Sequence, residues 1–127
     1  MPVSVPFGQL SRYGVVGAVG TAVHYALMAG LLWTLTEDAV LASTAGAVAG
    51  ALVNYVLNYV YTFRSDKPHL EAIVKFWIVA AIGWVVNGAV LMLATDGLGL
   101  PVVPGQLAAT GVVFFLTFGL NRIWTFA

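Results

Sequence analysis

The fold is decided by residues 40–64, VLASTAGAVAGALVNYVLNYVYTFR. From Val40 to Phe63 run 24 residues without a charge or a proline, and the stretch closes on Arg64. An α-helix rises about 1.5 Å per residue, so this stretch reaches about 36 Å and clears a hydrocarbon core of about 30 Å with some tilt. Its last part carries a polar and aromatic pattern, Asn54-Tyr55-x-x-Asn58-x-x-Tyr61-Thr62-Phe63-Arg64. An uncharged helix of this length that ends on a cation reads as a membrane crossing.

Three more apolar stretches of similar length follow the same logic: Tyr13–Leu35, Ile73–Thr95 and Gly105–Phe126, none containing proline. The composition agrees. Of 127 residues, 61% are hydrophobic and 8% charged, against about 25% charged in a soluble domain. Five basic and five acidic groups cannot coat a soluble globule of this size. A soluble enzyme is therefore excluded as the default, and so is a disordered chain, which needs low hydrophobicity. The length allows one domain, 1–127. Zero net charge gives no basic field for nucleic acid. The absence of cysteine removes disulfide and thiol chemistry. The uncharged segment Met1–Ser11, with two prolines, reads as a short tail. The first stretch reads as a retained crossing, because it is longer than a signal-peptide core and lacks the flanking charge and cleavage pattern.

Charge placement sets the expected orientation. Arg12, Arg64, Lys67, Lys75 and Arg122 all flank one side, whereas the other two loops carry only Glu37, Asp38 and Asp96. The positive-inside rule then places both termini and the middle loop in the cytoplasm.

Shifting the sequence by 63 residues aligns its halves without a gap. Arg12 falls on Lys75, Tyr13 on Phe76, Val16 on Val79, Gly20 on Gly83 and His24 on Asn87. At the far end Tyr55 falls on Phe118, Asn58 on Asn121, Tyr61 on Trp124, Thr62 on Thr125 and Phe63 on Phe126. The expected architecture is all-α and integral to the membrane. Its four transmembrane helices form two two-helix repeats, 12–63 and 75–126, joined by a loop at 64–74. Each repeat crosses twice, so the halves enter the membrane in the same sense, N-in and C-in.

Small residues recur every fourth position on two helices: Gly14, Ala18, Ala22, Ala26 and Gly30 on the first, and Ala42, Gly46 and Gly50 on the second. Residues i and i+4 share a face, and small side chains let helix backbones approach. On the second helix the same stripe continues into Asn54 and Asn58.

Counted from the flanking cations, Asn58 lies about 9 Å and Asn54 about 15 Å inside the membrane, with His24 and Asn87 near mid-depth at about 18 Å. Asn121 and Arg122 sit near the end of the fourth helix. An amide facing lipid would leave donors and acceptors unpaired at a cost of several kcal/mol. These groups therefore face the bundle interior, either as hydrogen-bond glue between helices or as a polar path for a substrate. His24 fits a packed neutral imidazole, a hydroxyl ligand or a proton carrier. The charged end gathers Tyr55, Tyr59, Tyr61, Phe118 and Trp124 with Arg12, Arg64, Lys75 and Arg122. Such a set fits an aromatic belt with anchoring cations or a site for a lipid phosphate. Rings beside Arg122 also suit the faces of sugars.

Several chemistries lack their residues. Two histidines, His24 and His69, make no metal set. No acid lies within a helix core, as a proton-coupled multidrug exporter would require. No nucleophile, base and carboxylate fall together, so no catalysis and no cofactor are expected.

The doubled motif, Asn54-Tyr55-x-x-Asn58-x-x-Tyr61-Thr62-Phe63-Arg64 and Phe118-x-x-Asn121-Arg122-x-Trp124-Thr125-Phe126, resembles the GtrA-like family. So does the opening Arg12-Tyr13-x-x-Val16-Gly17 with Gly20. The resemblance covers residues 11 to 126. It implies a small four-helix protein of the inner membrane, associated with cell-surface polysaccharide synthesis. Its implied task is moving a polyprenyl-phosphate-linked sugar, such as undecaprenyl-phosphate glucose, to the outer leaflet. On that reading Arg122, Arg64, Arg12 and Lys75 meet the phosphate, and Asn58, Asn121, Asn54, Asn87 and His24 line a track for the sugar. Family members often carry a basic residue after the motif asparagine. Arg122 matches this, whereas the first copy has Tyr59, which leaves a phosphate contact there to Arg64. A homodimer or other homo-oligomer is expected because four short helices enclose little space. The alternative is a non-transporting membrane partner or anchor of a glycosyltransferase; a small multidrug exporter is a more distant one.

Overall fold

The computed structural model describes residues 7–127, and these form helices and short connections only. Helix α1 spans Phe7–Thr34, α2 Ala39–Leu57, α3 His69–Met92 and α4 Val102–Leu120. Five-residue π-helical turns extend three of them: Asn58–Thr62 after α2, Leu93–Gly97 after α3 and Asn121–Thr125 after α4. With these extensions, all four helices are long and apolar enough to cross a membrane. The protein is an all-α, multi-pass membrane protein.

Several helix starts differ from the sequence expectation. Residues 7–11 belong to α1 rather than to a tail, because nothing after Pro6 interrupts the helix; the rest of the expected tail, 1–6, lies outside the described residues. The middle loop is shorter than 64–74, since α3 begins at His69. Glu71 lies in its first turn, where a carboxylate suits the helix dipole, and pairs with lysines four residues away on either side. Loss of hydropathy there does not coincide with the helix end. Helix α4 starts three residues before Gly105 and accommodates Pro104, because first-turn N–H groups have no helical partner to lose. Asp38 caps α2, accepting hydrogen bonds from the N–H groups of Val40 at 3.0 Å and Leu41 at 3.1 Å.

The chain divides into two units, Met1–Ser65 and Asp66–Ala127. In the first, α1 and α2 form an antiparallel hairpin. Its packed face on α1 carries Val16 and Gly20, and on α2 it carries Ala42, Gly46, Gly50 and Tyr55. A Cβ at Gly50 would stand 2.6 Å from the Gly20 carbonyl oxygen, and one at Gly46 would run into the backbone of His24. The small stripe of α2 is thus the contact face. On α1 the stripe reads differently from the expectation. Ala18, Ala22, Ala26 and Gly30 are exposed, and the packed line runs through Val16, Gly20 and His24 instead.

In the second unit α3 and α4 form the corresponding hairpin. Ala72, Phe76, Val79 and Gly83 pack toward Gly105, Ala109 and Phe118. Here a Cβ at Gly83 would meet the Thr117 and Val113 side chains at 3.2 and 3.3 Å rather than a backbone atom. Helices α2 and α4 start and end 63 residues apart, as do their π-turns. Buried positions follow the same offset: Val16 and Val79, Gly20 and Gly83, Ala42 and Gly105, Tyr55 and Phe118, Asn58 and Asn121, Thr62 and Thr125.

Hydroxyls in the apolar spans turn back on their own helices. Thr34, Thr44, Thr95 and Thr117 donate to the carbonyls of Gly30, Val40, Leu91 and Val113, four residues earlier, at 2.7 to 2.9 Å. Thr62 and Thr125 do not.

Candidate functional site

The doubled motif closes each hairpin at its charged end. In both copies the asparagine carbonyl accepts from an N–H five residues ahead: Phe63 to Asn58 at 2.9 Å and Phe126 to Asn121 at 3.0 Å. A π-turn holds one more residue than an α-turn. The extra residue keeps the threonine inward and brings the following phenylalanine round to the partner helix. Phe63 meets Tyr13 with ring centroids 5.9 Å apart, and Phe126 meets Phe76 at 6.4 Å. Asn58, Thr62, Asn121 and Thr125 are all buried, none more than 2% exposed.

The chain leaves the first π-turn through Arg64, whose φ is +47°. The Ser65 N–H then reaches the Tyr59 carbonyl at 2.8 Å. Gly99 makes the same exit after Leu93–Gly97, with φ +68° and Leu100 N–H on the Ala94 carbonyl at 2.9 Å. A left-handed residue suits glycine, and an arginine there bears a backbone cost.

Each hairpin sets a cation over the fourth-position ring of its motif. The Arg12 guanidinium carbon lies 5.8 Å from the Tyr61 ring centroid, and Arg12 Nη2 donates to the Thr62 carbonyl at 3.3 Å. Lys75 Nζ lies 5.1 Å from the Trp124 centroid, and Lys67 Nζ donates to the Trp124 carbonyl at 3.0 Å. Such cation–π contacts are stronger where water is partly excluded. The electrostatics differ between the hairpins. Glu71 accepts from Lys75 at 2.9 Å and lies 3.6 Å from Lys67. Among the described residues, Arg12 has no ion pair. Its Nε is enclosed without an acceptor, as are Asn58 Oδ1 and the hydroxyls of Thr62 and Thr125.

The amides expected to form a track are tied within their hairpins. Asn58 Nδ2 donates to Asn54 Oδ1 at 2.6 Å. Asn87 Oδ1 accepts from Gln106 Nε2 at 2.9 Å, and the same nitrogen reaches Thr110 Oγ1 at 3.1 Å. Asn54 and Asn87 remain partly accessible, whereas Asn58 and Asn121 are enclosed. His24 stacks on Tyr25 at 5.1 Å, with its Nε2 enclosed and unpartnered. Arg64 and Arg122 are exposed. Of the expected aromatic rim, Tyr61 and Trp124 are exposed and Tyr59 is half-buried. Tyr55 and Phe118 lie in the hairpin cores, because the α-helical period places them on the packed face beside the motif asparagines. Among the described residues, no group of three His, Cys, Asp or Glu side chains comes together to hold a metal.

Three features escaped the sequence reading. Gln106 was passed over inside a stretch counted as apolar. Glu71 drew no notice as a pairing partner, although Lys67, Glu71 and Lys75 stand at the i, i+4 spacing of helical ion pairs. The motif threonines were matched between halves without being recognised as buried polar groups.

The sequence matches the family described as GtrA/DPMS, transmembrane domain, over residues 12–126, nearly the whole chain. No curated protein gives a significant match.

Proposed function

The chain belongs to the GtrA/DPMS transmembrane family, a family involved in handling polyprenyl-phosphate sugars, and from that premise we propose that it flips such a lipid across the inner membrane. The cargo is a polyprenyl-phosphate-linked sugar, such as undecaprenyl-phosphate glucose. It enters from the cytoplasmic leaflet, where both termini and the charged ends of the hairpins lie, and leaves for cell-envelope glycan synthesis outside. The protein acts as a carrier and performs no bond chemistry.

The observation that carries this reading is the geometry built twice at the charged ends, where a cation lies over a motif ring next to a buried asparagine–threonine turn. Cations at headgroup depth attract anionic lipid, and guanidinium matches phosphate oxygens in paired hydrogen bonds. Exposed Arg64 and Arg122 make the first contact, with Arg12 and Lys75 beside the rings. The half-buried amides of Asn54 and Asn87 face sugar hydroxyls, while Asn58 and Asn121 hold the motif turns in shape. His24 borders the same path. The isoprenoid chain stays in lipid. The exposed Ala18, Ala22, Ala26 and Gly30 face of α1 supports self-association, since small residues favour helix contacts in a bilayer.

The test is leaflet transfer of a fluorescent polyprenyl-phosphate glucose in liposomes holding the purified protein. Arg122→Ala and Asn121→Ala are expected to slow transfer at least about tenfold, with helicity and thermal stability preserved for Arg122→Ala. Normal transfer in both rejects these roles. No transfer by the wild-type protein rejects the flippase and favours an anchor for a membrane glycosyltransferase, a function that enclosed, self-bonded amides would also serve.

A further inference from the structure

Arg12 and Lys75 are repeat counterparts, and each lies over the fourth-position ring of its own motif. What differs is the residue one helical turn earlier. In the second hairpin it is Glu71, which holds Lys75 at 2.9 Å and also reaches Lys67 at 3.6 Å. In the first it is Gly8. A Cβ built at Gly8 would sit 3.5 Å from Arg12 Nη1, an ordinary contact distance. Position 8 therefore faces the guanidinium as position 71 faces the ammonium, but it carries no charge.

The consequences for the two cations are opposite. Lys75 is compensated by a carboxylate. Arg12 has no ion pair among the described residues, and residues 1–6 contain no acid. One of its N–H groups is used by the Thr62 carbonyl, and its Nε–H is enclosed without an acceptor. The Thr62 hydroxyl, 1% exposed as a residue, also lacks a partner. An enclosed donor without an acceptor is unfavourable, and the penalty ends when an acceptor arrives. A planar guanidinium fork with a hydroxyl next to its carbonyl contact suits a tetrahedral oxyanion.

We propose that each chain holds one phosphate group in its first hairpin, on Arg12 and Thr62, and that the equivalent place on Lys75 in the second hairpin is closed to phosphate by Glu71. Gly8 keeps the first site open by withholding a carboxylate. The proposal rests on the reading that a phosphate-bearing lipid is the ligand, and it narrows the holding site, past the first contacts at Arg64 and Arg122, from two ring-bound cations to one.

The test uses the full-length protein in nanodiscs at low salt, with farnesyl phosphate and inorganic phosphate as probes. Wild type is expected to bind one farnesyl phosphate per chain. Arg12→Gln and Gly8→Glu should each weaken binding at least about tenfold, the latter with Arg12 intact. Gly8→Gln has the bulk of glutamate without its charge and should stay within about threefold of wild type. Glu71→Gln should add a second site. Wild-type affinity in Gly8→Glu, equal losses in Gly8→Gln and Gly8→Glu, or no added site in Glu71→Gln overturns the proposal. The same variant pattern with inorganic phosphate and not with farnesyl phosphate assigns the site to the free ion and overturns the lipid assignment. Leaflet transfer in the same preparations separates the two readings. Binding with this pattern but without transfer leaves the site standing and rejects the flippase. Transfer that ignores Gly8→Glu rejects the site and leaves the flippase.

Discussion

In the first hairpin a glycine backbone meets a glycine backbone, Gly50 against the Gly20 carbonyl. At the corresponding place in the second, Gly83 meets the side chains of Val113 and Thr117. The charged ends share the backbone turn, a buried asparagine and threonine, and a cation over a ring, Arg12 on Tyr61 and Lys75 on Trp124, although a carboxylate pairs only the lysine. The two hairpins thus share their end geometry and differ in their mid-helix packing. Helix contact can be rebuilt from many combinations of small and large residues. A turn that must hold two polar groups inside an apolar hairpin tolerates far fewer. That contrast locates constraint in the motif ends.

Exchanging residues between the hairpins gives the largest expected effect. Gly50→Val installs what the second hairpin carries at position 113, and should destabilise the first hairpin by about 3 kcal/mol, since the new atoms meet backbone. Val113→Gly should cost about 1–2 kcal/mol through lost packing and a freer helix. Steric-trap unfolding in bicelles measures both, and equal costs would erase the packing contrast. Next comes Asn58→Ala, which removes the donor to Asn54 and should cost about 2 kcal/mol in the same assay. Arg64→Gly should raise stability by about 1 kcal/mol, because glycine adopts the positive φ without strain. It also deletes the exposed charge without disturbing the turn, a cleaner probe of Arg64 than alanine. The smallest effect belongs to Thr62→Val and Thr125→Val. Each swaps an unpartnered buried hydroxyl for a methyl and, by ending its desolvation penalty, should raise stability by no more than about 1 kcal/mol. A loss above about 1 kcal/mol in either would reveal a hydrogen bond that the hydroxyl makes.

Much of this was readable from the chain. Four uncharged or nearly uncharged runs fixed the crossings, because a bilayer demands continuous apolar length. The Ala42–Gly46–Gly50 stripe marked the contact face of α2, since glycine has no side chain to hold helices apart. The corresponding stripe on α1 misled. Spacing shows where backbones can approach, and the partner's shape decides where they do; here Gly20 opposite Gly50 won over Ala18 and Ala22. The π-turns left no trace in hydropathy, because α and π backbones bury the same residue types. Arg64 gave no warning of its left-handed φ, which the turn imposes on whatever residue stands there. At the site, the cations and rings were evident from composition. Their pairing was not, because whether Arg12 or Lys75 is compensated depends on a glycine or a glutamate one turn away.

The back-bonded threonines carry a mechanical consequence. A carbonyl that accepts from both a backbone N–H and a hydroxyl divides its bonding, and helices tend to bend at such points. Thr117 places one three residues before the end of α4, where α2 has Asn54 in the aligned register, and Thr44 places another near the start of α2. Lateral squeezing by the surrounding acyl chains is therefore expected to bow α2 near its first turns and α4 near its last, so that the two hairpins yield at opposite ends of their aligned helices.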